Sequence, residues 1–94
     1  MNGGFVYIMT NKHNTTLYTG VTANLKERVY EHKTGIGSFF ATKYKLTKLV
    51  WFDEFPSIEE AITREKQIKK WKRQWKIEMI KKMNPSFRDL YQEI

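Results

Sequence analysis

The stretch FVYIMTNKHNTTLYTGV, Phe5 to Val21, decides how this chain folds. Residues 4 to 9 alternate, with Phe5, Tyr7 and Met9 on one side and Val6 and Ile8 on the other. That period of two predicts a strand. Asn11-Lys12-His13-Asn14 is a cluster of turn formers. Thr16 to Val21 then predicts a second strand, so the segment is a hairpin. A four-residue loop would pair Thr10 with Thr15, Tyr7 with Tyr18 and Phe5 with Gly20. Directly opposed residues of an antiparallel pair share a face. The two tyrosines are therefore expected side by side, next to a gap at Gly20. A glycine inside a strand often marks close approach by a ligand or another backbone.

Helix signals follow the hairpin. Asn24 is a good N-cap, with Glu27 three residues later as in a capping box. A helix is expected to about Lys33, broken by Gly35-Ile36-Gly37. Leu25 and Val29 lie on its apolar arc, and Arg28 and His32 fall on the same arc. A buried arginine needs an anionic partner. Ser38 to Tyr44 reads as a short connection, helical at most, followed by Lys45. Leu46 to Phe55 is rich in β-branched and aromatic residues and predicts a third strand, at the edge or the centre of the sheet.

Pro56-Ser57 opens a long helix, with Ser57 as cap and Glu60 closing the box. Ile58, Ala61, Ile62 and Ile68 form its expected buried stripe. At 100° per residue Glu65 falls in the middle of that stripe. Trp71 and Trp75 mark a second packing edge. A break near Lys72 or Arg73 is expected, then helix to Met83, stopped by Asn84-Pro85. The tail from Phe87 should dock through Phe87, Leu90 and Tyr91. The result is one α/β (α+β) domain over residues 1–94. It is a small sandwich with a three-stranded, mainly antiparallel sheet in the order β-β-α-β-α-α.

Composition narrows the function. The 94 residues are 40% hydrophobic and 15% aromatic, enough for a small core. There is no cysteine, which excludes disulfides and thiolate metal sites. The first residues carry neither a basic n-region nor a long apolar run, so a cytoplasmic protein without membrane spans is expected. Seventeen Lys and Arg against ten Asp and Glu give +7, concentrated between Ala61 and Lys82. A basic, aromatic-rich stripe suits a polyanion, above all nucleic acid; the bland account is a solvated lysine-rich helix.

An acid centred in an apolar stripe needs a partner or a purpose. An ion pair from Glu65 to Lys69 is the bland account. A metal site is the functional one, since Mg²⁺ (or Mn²⁺) is often held by one or two carboxylates plus water and substrate phosphate. The two histidines, His13 and His32, lack the spacing of a zinc motif.

Phe5-Val6-Tyr7, Tyr18-Thr19-Gly20, Arg28, His32 and Glu65 together resemble the GIY-YIG nuclease superfamily, in particular its small stand-alone bacterial members. The likeness runs over about residues 4–75. It implies a divalent-metal-dependent endonuclease acting on phosphodiester bonds, in repair or recombination. By that resemblance Tyr7 and Tyr18 are the motif tyrosines, with Tyr18 the general base or its relay. Arg28 contacts the scissile phosphate, His32 fills a position that is histidine or tyrosine in relatives, and Glu65 is the sole protein ligand of the metal. All five are expected around one concave face, with Lys43, Lys69 and Lys72 as flanking nucleic-acid contacts. Phe5 departs from the first motif glycine. Val21 stands where some relatives have lysine; for the asparagine many relatives have after the metal helix, Ile77 is near the expected offset and Asn84 is only a weak candidate. The rivals are a non-catalytic nucleic-acid binding module on the same fold, and a protein-interaction domain using Trp71 and Trp75.

Overall fold

The computed structural model describes residues 3–36 and 39–94. Gly37 and Ser38, part of the expected helix break and connection, lie outside the described residues. The elements are β1 (Gly4–Thr10), β2 (Leu17–Thr22), α1 (Leu25–Thr34), α2 (Phe39–Tyr44), β3 (Lys48–Phe55), α3 (Ile58–Lys69) and α4 (Arg73–Met83), with a terminal 3₁₀ turn at Tyr91–Glu93. The sheet is antiparallel throughout, in the order β2-β1-β3, so the third strand is an edge. It begins at Lys48 rather than Leu46. Leu46 stays buried, as the residue that closes α2 through its N–H to the Ala41 carbonyl.

The hairpin register differs from the expected one by two residues. Thr10 pairs with Leu17, Tyr7 with Gly20 and Phe5 with Thr22. The cause is a six-residue loop organised by Asn11. Its Oδ1 accepts the N–H groups of Thr15 and Thr16, and Thr10 Oγ1 donates to the Thr16 carbonyl. Asn14 sits at φ 58°, the left-handed region that asparagine tolerates. A shift of two residues keeps every side chain on its face, so the alternation survives intact.

That alternation divides the core in two. Val6 and Ile8 pack with Val50, Ala61, Ile68 and Ile80 on one face, under α3 and α4. Tyr7 and Met9 pack with Leu25, Val29, Ala41, Leu46 and Leu90 on the other, under α1 and the tail. Both expected capping boxes are reflected in the backbone. Asn24 accepts the Glu27 N–H and Ser57 accepts the Glu60 N–H, each satisfying a donor the helix itself cannot. Gly35 ends α1 at φ 77°, a left-handed cap that glycine takes without strain. In α3 the buried positions are Ala61, Glu65 and Ile68, whereas Ile62 is exposed, one position off the stripe.

The chain turns between α3 and α4 at 70–72, as the break near Lys72 required. Asn84 then ends α4 as a buried hub. Its amide donates to the carbonyls of Val50 and Arg88 and accepts the Arg88 N–H, which assigns it to structure rather than to chemistry. The tail docks as expected through Phe87 and Leu90, both buried. The Leu90 N–H meets the Leu49 carbonyl, Asp89 accepts the Leu49 N–H, and Lys33 pairs with Asp89.

Candidate active site

Tyr7 is the centre of the candidate site. It lies in the middle of the central strand, 2% exposed, with its ring over Gly20 of the neighbouring strand. A Cβ at Gly20 would stand 2.5 Å from the Tyr7 hydroxyl, so only glycine leaves room for that ring. The hydroxyl lies 3.0 Å from His32 Nε2 on α1. Tyr18 completes an aromatic triangle, its ring centroid 6.3 Å from Tyr7 and 5.5 Å from His32. Tyr7 is thus bonded to the histidine, and Tyr18 stands diagonally from it instead of directly opposite.

The electrostatics assign different capacities to the rings. Burial raises the Tyr7 pKa well above the usual phenol value; Tyr18, Glu31 and Glu65 add to that and Arg28 opposes it. Tyr7 therefore keeps its proton and can only donate or orient. Burial lowers the His32 pKa, with Arg28 pushing the same way and Glu31 opposing. The imidazole is neutral near pH 7. Its Nδ1 is buried and meets no hydrogen-bond partner among the described residues.

Arg28 is not buried. Its side chain is 43% exposed and pairs with Glu31 one turn on, at 3.4 Å. The anion that burial would have demanded is not needed, because α1 turns this flank of the arc to solvent. A half-exposed guanidinium beside the aromatic triangle can reach an external phosphate.

Glu65 comes from the other layer. It sits in line with Ala61 and Ile68 on α3, which packs on the Val6 and Ile8 face of β1 and on the edge strand β2. Its charge still bears on the Tyr7 phenol. The carboxylate is largely buried and its Oε2 accepts from Lys69 Nζ at 2.7 Å. Lys69 is thus tied to Glu65, the pairing that the bland account foresaw. Among the described residues no three His, Asp or Glu side chains converge as a self-sufficient metal cage. A lone buried carboxylate fits a Mg²⁺ or Mn²⁺ ion completed by water and a substrate phosphate, with Lys69 displaced.

Of the other expected contacts, Lys43 lies on α2 with its ammonium over Tyr44, and Lys72 lies at the start of α4 over Trp75. Neither is in the aromatic triangle. A cavity of about 370 Å³ beside His32 adds groups the sequence reading passed over: Lys12, Lys33 and Lys45 line it, with Thr42 and Thr47. Lys12 belongs to the hairpin loop and Lys45 to the turn after α2. Nothing in their spacing brings them together; the docking of α1 and α2 against the sheet does.

The comparison with known sequences bears on this arrangement of two tyrosines, a histidine and a helix-borne acid. The GIY-YIG catalytic domain matches residues 3–78. This chain belongs to the GIY-YIG family. It is 40% identical over 76 residues to a UPF0213 protein of Staphylococcus haemolyticus, covering 81% of this chain and 92% of that one. A UPF0213 protein of Syntrophus aciditrophicus is 37% identical over 86 residues, covering 90% and 97%. The solution structure of a UPF0213 protein from Bacillus halodurans superposes with a TM-score of 0.58 at 28% identity, covering 90% of this chain and 89% of that one. The GIY-YIG domain thus spans both strands of the hairpin, α1 and α3, and leaves the docked tail outside its match. No described helix is long and apolar enough to cross a membrane.

Proposed function

We propose that this GIY-YIG protein is a divalent-metal-dependent endonuclease that hydrolyses phosphodiester bonds, with DNA as substrate. The observation that carries the reading is the Tyr7–His32 hydrogen bond built over Gly20, with Tyr18 against both rings and the charges of Arg28 and Glu65 acting on Tyr7. A buried phenol needs some hydrogen-bond partner; here that partner is a titratable imidazole, and the ring sits in a space that only glycine leaves open. Glu65 would hold Mg²⁺ or Mn²⁺ together with water and the substrate phosphate, and the ion would supply neutralisation of the phosphoryl and leaving-group charge.

The chain's own groups have separate tasks in this reading. Arg28 donates to the non-bridging oxygens of the scissile phosphate, where charge grows in the transition state. Lys12 and Lys45 hold neighbouring phosphates at the mouth of the cationic cavity. Tyr18, less buried than Tyr7, is the phenol assigned to the attacking water, taking its proton either as phenolate or as a relay that releases its own proton onward. Tyr7 and neutral His32 fix the wall against which it stands. The biological setting we infer is repair or recombination.

The alternative is a binding module without catalysis, and one observation favours it: Lys69 already neutralises Glu65. One experiment separates the two. Purified protein is incubated with Mg²⁺ or Mn²⁺ and plasmid, single-stranded, flap and RNA substrates, beside a Glu65→Gln variant. Metal-dependent cleavage by the wild type alone supports the nuclease. Tight, salt-sensitive binding with no cleavage on any substrate supports the module.

A further inference from the structure

The corner between α3 and α4 takes no part in the site above. Trp71 and Trp75 meet there edge to face, with centroids 6.3 Å apart and planes at 76°. Trp75 is 50% exposed. The Arg64 guanidinium lies over Trp71 at 5.0 Å, and the Lys72 ammonium lies over Trp75 at 5.7 Å. A cavity of about 440 Å³ opens beside them, lined also by Met79, Lys82 and Glu78, whose carboxylate accepts from the Gln74 amide.

Two features of this corner call for a ligand. A large aromatic surface is left in water on a helix that has an apolar face to bury elsewhere. Cations also crowd around it. From Ala61 to Lys82 nine residues are basic and only Glu65 and Glu78 are acidic. Crowded ammonium groups are relieved by a polyanion. Arginine and lysine over indole faces are the arrangement in which stacked bases and their phosphates are held together. An apolar or acidic peptide would use the tryptophans or the cations, whereas an unpaired nucleotide uses both.

We propose that the Trp71–Trp75 corner is a stacking site for an unpaired nucleobase, with Arg64, Lys72 and Lys82 taking the flanking phosphates. The proposal builds on the reading of nucleic acid as partner and narrows it to substrates with a single-stranded segment. Inside a duplex the base faces are covered by their neighbours, so a duplex would engage mainly the cations.

The test is binding, measured without metal so that it does not depend on cleavage. Labelled oligothymidylate and a blunt duplex of equal length are titrated by fluorescence anisotropy against wild type, Trp75→Ala and Trp75→Phe, with thermal melts to verify folding. Base–aromatic stacking is worth about 1–3 kcal/mol, so Trp75→Ala should weaken oligothymidylate binding by roughly 5- to 150-fold. Duplex affinity should change less than about twofold, and Trp75→Phe should recover most of the loss. Equal losses for both nucleic acids, no loss for oligothymidylate, or equal affinity for a polyglutamate competitor would overturn the stacking site. A protein that stacks oligothymidylate through Trp75 but cleaves nothing would keep this inference and discard the nuclease.

Discussion

The Tyr7 hydroxyl and His32 Nε2 are 3.0 Å apart, and Gly20 is what lets them meet. The ring of Tyr7 occupies the space where any other residue at 20 would put its Cβ. The geometry of the candidate site and the packing of the sheet are therefore the same feature here, and a small change should disturb both.

Gly20→Ala should displace the Tyr7 ring and break its bond to His32. Overpacking of this size costs about 1–3 kcal/mol. Tyr7→Phe should cost about as much for a different reason, by leaving the buried Nε2 unsatisfied. Denaturant melts of both variants measure this. Wild-type stability in Gly20→Ala would mean that the ring moves freely.

His32 should make stability fall on mild acidification. Its folded pKa is depressed, so the unfolded chain takes up a proton first as pH drops. The contribution is flat above about pH 6.5 and is lost as pH falls from there to the folded value. The slope should be at most about 1.4 kcal/mol per pH unit. Asp89 is also depressed: burial alone would raise it, but the Lys33 hydrogen bond and the Leu49 and Tyr91 N–H groups prevail. Its stabilisation is present above its unfolded pKa and fades only at lower pH, outside the His32 window. Unfolding of His32→Gln between pH 8 and 5 should lack the wild-type slope.

Glu65→Gln should reduce metal-dependent cleavage roughly a thousandfold or more, several kcal/mol of lost transition-state stabilisation. The melting temperature should move little. The Glu65–Lys69 pair has one half-exposed partner, and such i,i+4 pairs contribute only a few tenths of a kcal/mol. Nicking assays beside thermal melts read both quantities, and equal cleavage by variant and wild type would remove Glu65 from the site.

Lys69→Met removes the ammonium that competes for the Glu65 carboxylate. The metal concentration for half-maximal nicking should fall about two- to fivefold, matching a pair worth up to about 1 kcal/mol. A higher metal requirement would mean that Lys69 assists the metal instead of excluding it.

Asn84→Ala should be the most damaging of these changes for the fold. It strips partners from the Val50 and Arg88 carbonyls in a side chain only 1% exposed. A cost of about 2–4 kcal/mol is expected. At about 4–8 °C per kcal/mol the melting temperature should drop by roughly 10 °C or more. An unchanged melt would return Asn84 to the candidates for chemistry.

Local chemistry alone was enough for the elements and their faces. Alternation from Phe5 to Met9 separates the two cores. Asn24 with Glu27 and Ser57 with Glu60 start two helices, and the break before Arg73 divides the last two. The tyrosines, Arg28, His32 and Glu65 stood out as candidates because their residue types and spacing carry the family likeness. The hairpin register was not, because a slip of two residues preserves the side-chain period and only the Asn11-centred loop distinguishes the alternatives. Arg28 was placed too deep, since a helical arc states direction and the neighbouring layer decides depth, and Ile62 lies one position off the stripe that the arc included. The third strand's edge position, the hub role of Asn84 and the gathering of Lys12 and Lys45 beside His32 rest on contacts between segments tens of residues apart. Periodicity and capping act within a few residues, so such long-range packing is decided only when the layers close on one another.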